Sequence, residues 1–464
     1  MTLHFKMSKK VLILRRIMAL FSTTLLAVCL AAQTLSSGYF LEGNSQRTML
    51  NPALKCEQNY LSFPLLGNVS AGLKGNVGLS DFLYPYNQDG KALTTFMSKT
   101  VDGTAFLRRL PELSSVGADV DLSLLGVGFE AWGGYNTLRL SEHTDASVHI
   151  PKAFFMFAKQ GFQHDSYAFS HLSMQALSYA DLCVGHSRAV GEHLRVGANL
   201  HLLAGVAYAD ASVDRLELQM NESEWVVRSL ANAEAGVLGD MAFEFDEQGF
   251  PIGVEGRFWP TSLGFGLDVG AECDLSDAVP GLRASAALTR LGRMGWKSAL
   301  TATSGENTFV YNGLGEIDPA TMDLDEEVQQ IADEAKELMN LQFRQVSRSH
   351  TKLAPSLRLG AEYRMPFYSS LSAAVLYTHD FCKYQAFNEA RLFLNISPTK
   401  AFEGSLNVAA STFGTAFGWM LNLHPKGFAL MLGTDCMVLR ITPQGIPVNR
   451  LNANLCVGIN IPIS

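Results

Sequence analysis

The sequence predicts an all-β fold, a transmembrane antiparallel β-barrel of about 14 strands within a range of roughly 12–16. Three observations carry this. Apolar and polar residues alternate with period two in segment after segment, the mark of strands whose side chains point to opposite faces in turn. The runs often last about ten to sixteen residues, longer than the roughly 5–6 of an ordinary strand and enough for the 9–11 that cross a bilayer on a tilt. Charge is scarce, at 17% against 47% hydrophobic residues, while the face opposite the apolar one is rich in Gly, Asn and Ser. A water-facing sandwich would carry Lys, Glu and Thr there; a crowded barrel lumen would not. Closure also removes the unpaired edge that long apolar strands would expose.

At the N-terminus, Lys6, Lys9, Lys10, Arg15 and Arg16 precede an apolar run from Ile17 to Ala32. This is the pattern of a secretory signal peptide spanning residues 1–32, with cleavage expected before Gln33. Residues 33–57 precede the first strand and contain Asn51-Pro52-Ala53. Export permits disulfides, but Cys56, Cys183, Cys273, Cys382, Cys436 and Cys456 are widely spaced and form no CxxC pair. They read as small apolar residues.

The barrel is expected over residues 58–464. Val69, Ala71, Leu73 and Val77 alternate with Ser70, Gly72, Lys74 and Asn76, and residues 81–115 form a long connection. From Leu194 one face reads Leu194, Val196, Ala198, Leu200, Leu202, Ala204, Val206 and Tyr208, against Arg195, Gly197, Asn199 and His201 on the other. Leu263, Phe265, Leu267 and Val269 alternate with Gly264, Gly266, Asp268 and Gly270. Further strands are expected over 116–131, 134–142, 166–185, 225–236, 281–290, 353–365, 369–381, 386–396, 402–411, 415–424, 428–440 and 451–461. The long loop 291–352 carries a helical pattern, with Asp318 as N-cap and Leu324, Val328, Ile331, Ala335 and Leu338 on one face. Parity conflicts in one place. Putting that loop outside also puts the tight turn at 187–192 outside, and an extra crossing at Met241, Phe243 and Phe245 would restore an even count. Trp132, Tyr135, Tyr208, Trp225, Tyr363, Tyr377, Trp419 and Phe428 are candidates for interfacial girdles.

Composition excludes several classes. Disorder needs low hydrophobicity, and a net charge of −8 lacks the basic footprint of a nucleic-acid binder. The inward-facing polar candidates are Asp119, Asp121, Glu130, Asp181, Arg195, His201, Asp268, Glu272, Arg358 and Glu362. His201 with Asp268 or Glu272 has the composition of a base–orienter pair, but no GxSxG or HExxH motif accompanies it. The expectation is therefore no enzyme, no catalytic residue, no cofactor and no metal.

Ser37-Gly38-Tyr39-Phe40-Leu41-Glu42-Gly43, Leu50-Asn51-Pro52-Ala53, Gly78-Leu79-Ser80-Asp81-Phe82-Leu83-Tyr84-Pro85 and Ala131-Trp132-Gly133-Gly134-Tyr135 resemble a family of Bacteroidota outer-membrane proteins, the domain-of-unknown-function family 5723. The Asn-Pro-Ala triplet is more distantly similar to that of FadL-like hydrophobic-compound channels and PorV-like secretion barrels. The FadL-like resemblance implies that residues 33–57 fold into the lumen as a hatch, with Asn51, Pro52 and Ala53 as its motif. The resulting expectation is a passive outer-membrane channel of a Gram-negative bacterium, in contact with outer-membrane lipid and carrying a small hydrophobic ligand. The alternatives are a scaffold with a secreted protein partner and an outer-membrane hydrolase.

Overall fold

The computed structural model describes residues 35–64, 66–85, 93–160, 166–220, 225–246, 251–257, 259, 261–304, 307–311, 341–425, 427–437 and 452–463. The expected signal peptide and the helix expected in loop 291–352 lie outside the described residues. No described helix is long and apolar enough to cross a membrane.

The wall is a closed antiparallel barrel of 14 strand positions, several of them assembled from consecutive short segments. β1 is Asn59–Ser62 continued by Asn68–Gly75, β2 Leu113–Ala131, β3 Gly134–Pro151, and β4 Ser166–Ala168 with Leu172–Val190. β5 is Leu194–Met220 and β6 joins Trp225–Val237 to Leu263–Asp274. β7 comprises Leu282–Trp296, Ala299–Thr303 and Asn307–Tyr311; β8 comprises Gln342–Val346, Ser349–Lys352 and Ser356–Arg364. The ring continues through β9 Leu371–Asp380, β10 Phe387–Thr399, β11 Phe402–Ser411, β12 Gly414–Leu423, β13 Ala429–Thr434 and β14 Ala453–Ile463. β14 then pairs with β1, as Val69 with Val457, and closes the ring.

This ring removes the parity conflict by a different route from the one the sequence suggests. Residues 225–236 and 263–273 are not two crossings. Ala207 of β5 pairs with Val237 and Ala204 pairs with Leu263, so one wall strand is resumed after an excursion. Met241, Phe243 and Phe245 belong to that excursion, in which Asp240–Phe245 pairs only with Pro251–Arg257. The excursion is tied to β8 by the Phe243 amide, which donates to Gln345 Oε1 at 2.9 Å. With 14 positions, the short connections 132–133, 191–193, 275–281, 365–370, 400–401 and 424–428 all fall at the end that carries the C-terminus. The long connection 76–112 falls at the other end, together with 381–386 and the two-residue turn 412–413.

Period two survives in the burial. Leu194, Val196, Leu200, Leu202 and Val206 of β5 are exposed, whereas Asn199 and Leu203 are buried. Leu263, Phe265, Leu267 and Val269 of β6, and Leu392, Leu394, Leu406 and Val408 of β10 and β11, extend the same exposed apolar belt. A belt this continuous is stable against hydrocarbon, not water. Bulges interrupt the alternation. The register shifts between Ser178 and Tyr179 of β4, opposite Gly205–Ala207 of β5, and the shift turns Tyr208 inward onto Trp296, ring centroids 4.5 Å apart. Tyr208 and the equally buried Tyr135 are therefore lumen residues, while Trp132, Tyr377 and Phe428 are exposed. Trp132 and Gly133 both have positive φ, at 55° and 72°, the two-residue turn that matches strand twist in the hairpin joining β2 to β3.

Candidate functional site

The lumen is filled in layers, and β5 reads them in order from the short-turn end: Gly197, Asn199, His201, Leu203, Gly205.

The first layer is the chain's own N-terminal segment. Residues 35–56 lie inside the barrel, all buried but Ser36, Glu42, Met49 and Lys55, with a 3-10 turn at Ser36–Gly38 and one α-helical turn, α1, at Arg47–Leu50. The segment enters along Asp435, whose carboxylate accepts the Ser36 and Ser37 amides at 2.7 and 2.9 Å. Arg391, held bidentately by Glu389 at 2.9 Å and donating to Asn407, supports that corner. Farther on, the Gly43 amide donates to Glu403, Asn460 to Ser45, and Arg139 to the Thr48 hydroxyl at 2.7 Å. Asn51 donates to the Tyr39 hydroxyl at 3.0 Å and accepts the Ala53 amide at 2.9 Å, which folds Asn51-Pro52-Ala53 into a tight corner. That corner sits in a notch. Gly197 of β5 and Gly270 of β6 are paired partners; a Cβ on Gly197 would stand 2.2 Å from the Pro52 carbonyl oxygen, and one on Gly270 2.0 Å from Asn51 Oδ1. The glycine requirement here is for close backbone approach.

Glu42 anchors the exposed side of this layer. It accepts from Arg283 at 2.7 Å and Arg364 at 3.1 Å, and Arg283 also grips Glu362 at 2.6 Å with Glu272 at 3.8 Å. Burial pushes the Glu42 carboxyl up, but Arg283, Arg47 and Arg364 outweigh it and hold it down to about 2. Burial raises the Cys56 thiol to about 11, so it is an inert, neutral group.

Above lies a charged girdle. Asp121 of β2 bonds His143 Nδ1, and His143 Nε2 lies 3.7 Å from Asp181 of β4. Asp181 bonds His201 Nδ1 at 2.8 Å, and His201 Nε2 bonds Asp268 at 3.0 Å. Asp268 also accepts the Arg290 amide at 2.7 Å, and the Arg290 guanidinium reaches Asp380 of β9 at 3.0 Å. Carboxylates and bases alternate around more than half the wall. Arg290 has a φ of 60° at a bulge, where Leu267 pairs with Leu291 but Val269 with Leu288. A left-handed backbone at a non-glycine residue is costly and is held here by its hydrogen bond to Asp268.

The third layer is apolar: Leu177, Tyr179, Leu203, Tyr208, Met294, Trp296, Ala299 and Leu353 pack together inside the barrel. At the loop end, Phe106 and Leu107 of helix Gly103–Arg109 and Phe155 of helix Lys152–Gln160 join Phe82 and Phe96 in an aromatic cluster packed against Val116 and Ile150 of β2 and β3. A pocket of about 280 Å³ opens there, lined by Tyr84, Thr100, Val101, Asp102, Ala105, Phe106 and Arg109.

The residues singled out from sequence divide among these places. Asp121, Asp181, His201 and Asp268 meet in the girdle, while Glu272 and Glu362 meet at Arg283. Asp119 faces the lumen with Oδ2 buried and unbonded, and Arg358 bonds Thr289 at 2.9 Å. Glu130 and Arg195 are not central: Glu130 is an exposed rim residue paired with Lys55 at 2.7 Å, and Arg195 reaches Ser187 near a short turn. Sequence reasoning missed His143, because it ended β3 at residue 142, nine residues early. It also missed Arg283, although Arg283 occupies the register position opposite Glu362. Arg290 carried no signal, since its bulge is invisible in the pattern. Among the described residues no cluster has metal-ligand geometry.

Solved structures of similar architecture include the Ralstonia pickettii toluene transporter TbuX, at 9% identity and a TM-score of 0.42, covering 91% of this chain and 95% of that one. A Pseudomonas aeruginosa FadL homologue matches at 10% identity and 0.41, with 93% and 95% covered. The translocator domain of autotransporter NalP from Neisseria meningitidis matches at 8% and 0.31, with 88% and 89% covered. No curated protein matches the sequence. A family model matches residues 52–435, from the Pro52 corner through nearly the whole wall, and the chain belongs to the family of unknown function DUF5723.

Proposed function

We propose that the protein is an outer-membrane channel for a small hydrophobic compound, exported by a cleaved signal peptide over residues 1–32, with residues 33–57 as a hatch. The observation that carries this reading is the apolar layer inside the lumen. A water-filled pore for ions or sugars lines its lumen with polar groups. Here Leu203, Met294, Trp296 and Leu353 occupy the lumen above a charged girdle, and an apolar solute can replace such contacts at little cost. The hatch is tied by hydrogen bonds and ion pairs, and the six described cysteines are free, so it is released without breaking a covalent bond.

Catalysis is not proposed. Both nitrogens of His201 are engaged by carboxylates, leaving none to accept a proton from a nucleophile. The secretion-scaffold reading has no observation of its own among the described residues. The test is influx of the hydrophobic dye N-phenylnaphthylamine into proteoliposomes. Deleting residues 35–57, in a variant whose folding is confirmed by heat-modifiable migration, should raise influx severalfold while sucrose leakage rises less. Unchanged dye influx would refute the hatch, and equal gains for dye and sucrose would refute the hydrophobic selectivity.

A further inference from the structure

The six residues 381–386 joining β9 to β10 do not stay at their own side of the rim. In the closed ring, β10 and β2 stand almost diametrically opposite, with β11 to β14 and β1 between them by the shorter arc. Yet Gln385 Oε1 accepts a hydrogen bond from Ser115 of β2, whose hydroxyl also bonds His149 Nδ1 at 2.8 Å. On the way across, Lys383 and the Tyr384 hydroxyl both bond Asp210 of β5, at 2.7 and 2.5 Å. A six-residue connection can touch β2 and β5 together only by bending inward over the lumen. Ser115, His149 and Asp210 are inward-facing residues near the loop ends of their strands, so the crossing lies above the apolar layer.

We propose that residues 381–386 are a movable strap, an outer gate that closes the lumen at the end opposite the hatch; this rests on the channel reading. The ties have the character of a latch. They are polar side-chain contacts at a wet boundary, with Lys383 56% exposed, and the strap forms no strand pairing with β2 or β5. Phe381 at its root is half exposed; its amide donates to the Pro355 carbonyl at 2.9 Å and its ring packs edge-on against His379, so the strap hinges from a fixed root. Opening therefore breaks a few side-chain bonds and leaves every ladder of the wall intact. Two closures in series, hatch and strap, would keep a hydrophobic pathway from leaking water and ions when empty.

Ser115 is 1% exposed beneath the strap, which makes it a reporter. In a Ser115→Cys variant that also carries Cys382→Ser, a membrane-impermeant maleimide should label the introduced thiol slowly. Adding Lys383→Ala and Tyr384→Phe should raise the labelling rate about tenfold, the scale of one hydrogen bond to a charged group. Unchanged labelling in variants with normal heat-modifiable migration would overturn the strap as a moving part. N-phenylnaphthylamine influx, measured in parallel in the same variants lacking the hatch segment so that the strap is the one closure left, separates the two proposals. Faster labelling with faster influx supports both, whereas faster labelling without any influx keeps the strap and overturns the channel. As a closing control, Gln385→Cys bridged to Ser115→Cys by a reducible bifunctional reagent should abolish influx until reductant is added; persistent influx through the bridged barrel would overturn the gate.

Discussion

At the scale of single residues, the lumen is governed by the cost of burying charge. Each girdle carboxylate has a basic neighbour because an unpaired buried charge is far more expensive than a paired one. His201 serves this end by offering both ring nitrogens, which makes it a clasp between β4 and β6 and not a base. Glu42 makes the same bargain where water can reach it, and so supplies a pH dependence. Its carboxyl titrates near 2 in the folded protein against an ordinary 4.5. A depressed acid stabilises the form in which it is ionised: the contribution is complete above about 4.5 and is lost as pH falls toward 2. Protease cleavage within residues 35–57 should accordingly increase as pH is lowered through that window. Glu42→Gln should show the raised cleavage already at pH 7 and flatten the profile; a profile unchanged by the substitution would remove Glu42 from the anchorage.

At the scale of elements, the hatch segment and the wall fit by subtraction of side chains. The paired glycines of β5 and β6 are where the Asn51-Pro52 corner enters the space a side chain would fill. Gly197→Val should displace the segment, since the Pro52 carbonyl is backbone and cannot swing aside. The expected result is rapid proteolysis within residues 35–57 with the barrel core still resistant; full protection would mean that the corner is not fixed by this notch. Bulges are the other elemental device. Those at Tyr179 and Arg290 re-aim side chains into the lumen, and both lie beside the girdle, as bulges beside functional groups commonly do. The excursion at 238–262 is a larger version, in which a wall strand leaves the ring at Ala207 of β5 and resumes three residues lower, at Ala204.

At the scale of the whole molecule, closure and the apolar belt make one physical unit. Every wall strand has two hydrogen-bonded neighbours, so unfolding must break a ring, not fray an edge. In mild detergent the unheated protein should migrate as a compact band and shift on boiling. A single band before and after, or a protein that stays soluble without detergent once residues 1–32 are removed, would contradict the membrane barrel.

How much of this was legible follows from period. Leu200, Phe265 and Leu392 alternate with inward neighbours because one face meets hydrocarbon, and that demand is written into the residue order. Asp121, Asp181, His201 and Asp268 could be assigned to the inner face on the same parity. Their meeting could not be foreseen, since it depends on how β2 to β6 are staggered. Nor could the inward turn of Tyr208, because a bulge adds one residue without altering the local composition. The sequence alone determined that this chain is a closed β-barrel, how many strands it has to within a few, and which faces meet lipid, because those properties repeat every two residues. Only the tertiary structure decided that 225–237 and 263–274 are one strand, that Glu42 meets Arg283, and that residues 381–386 cross the mouth. These are contacts between residues far apart in the chain, and they are set by ring closure and register, which no local pattern encodes.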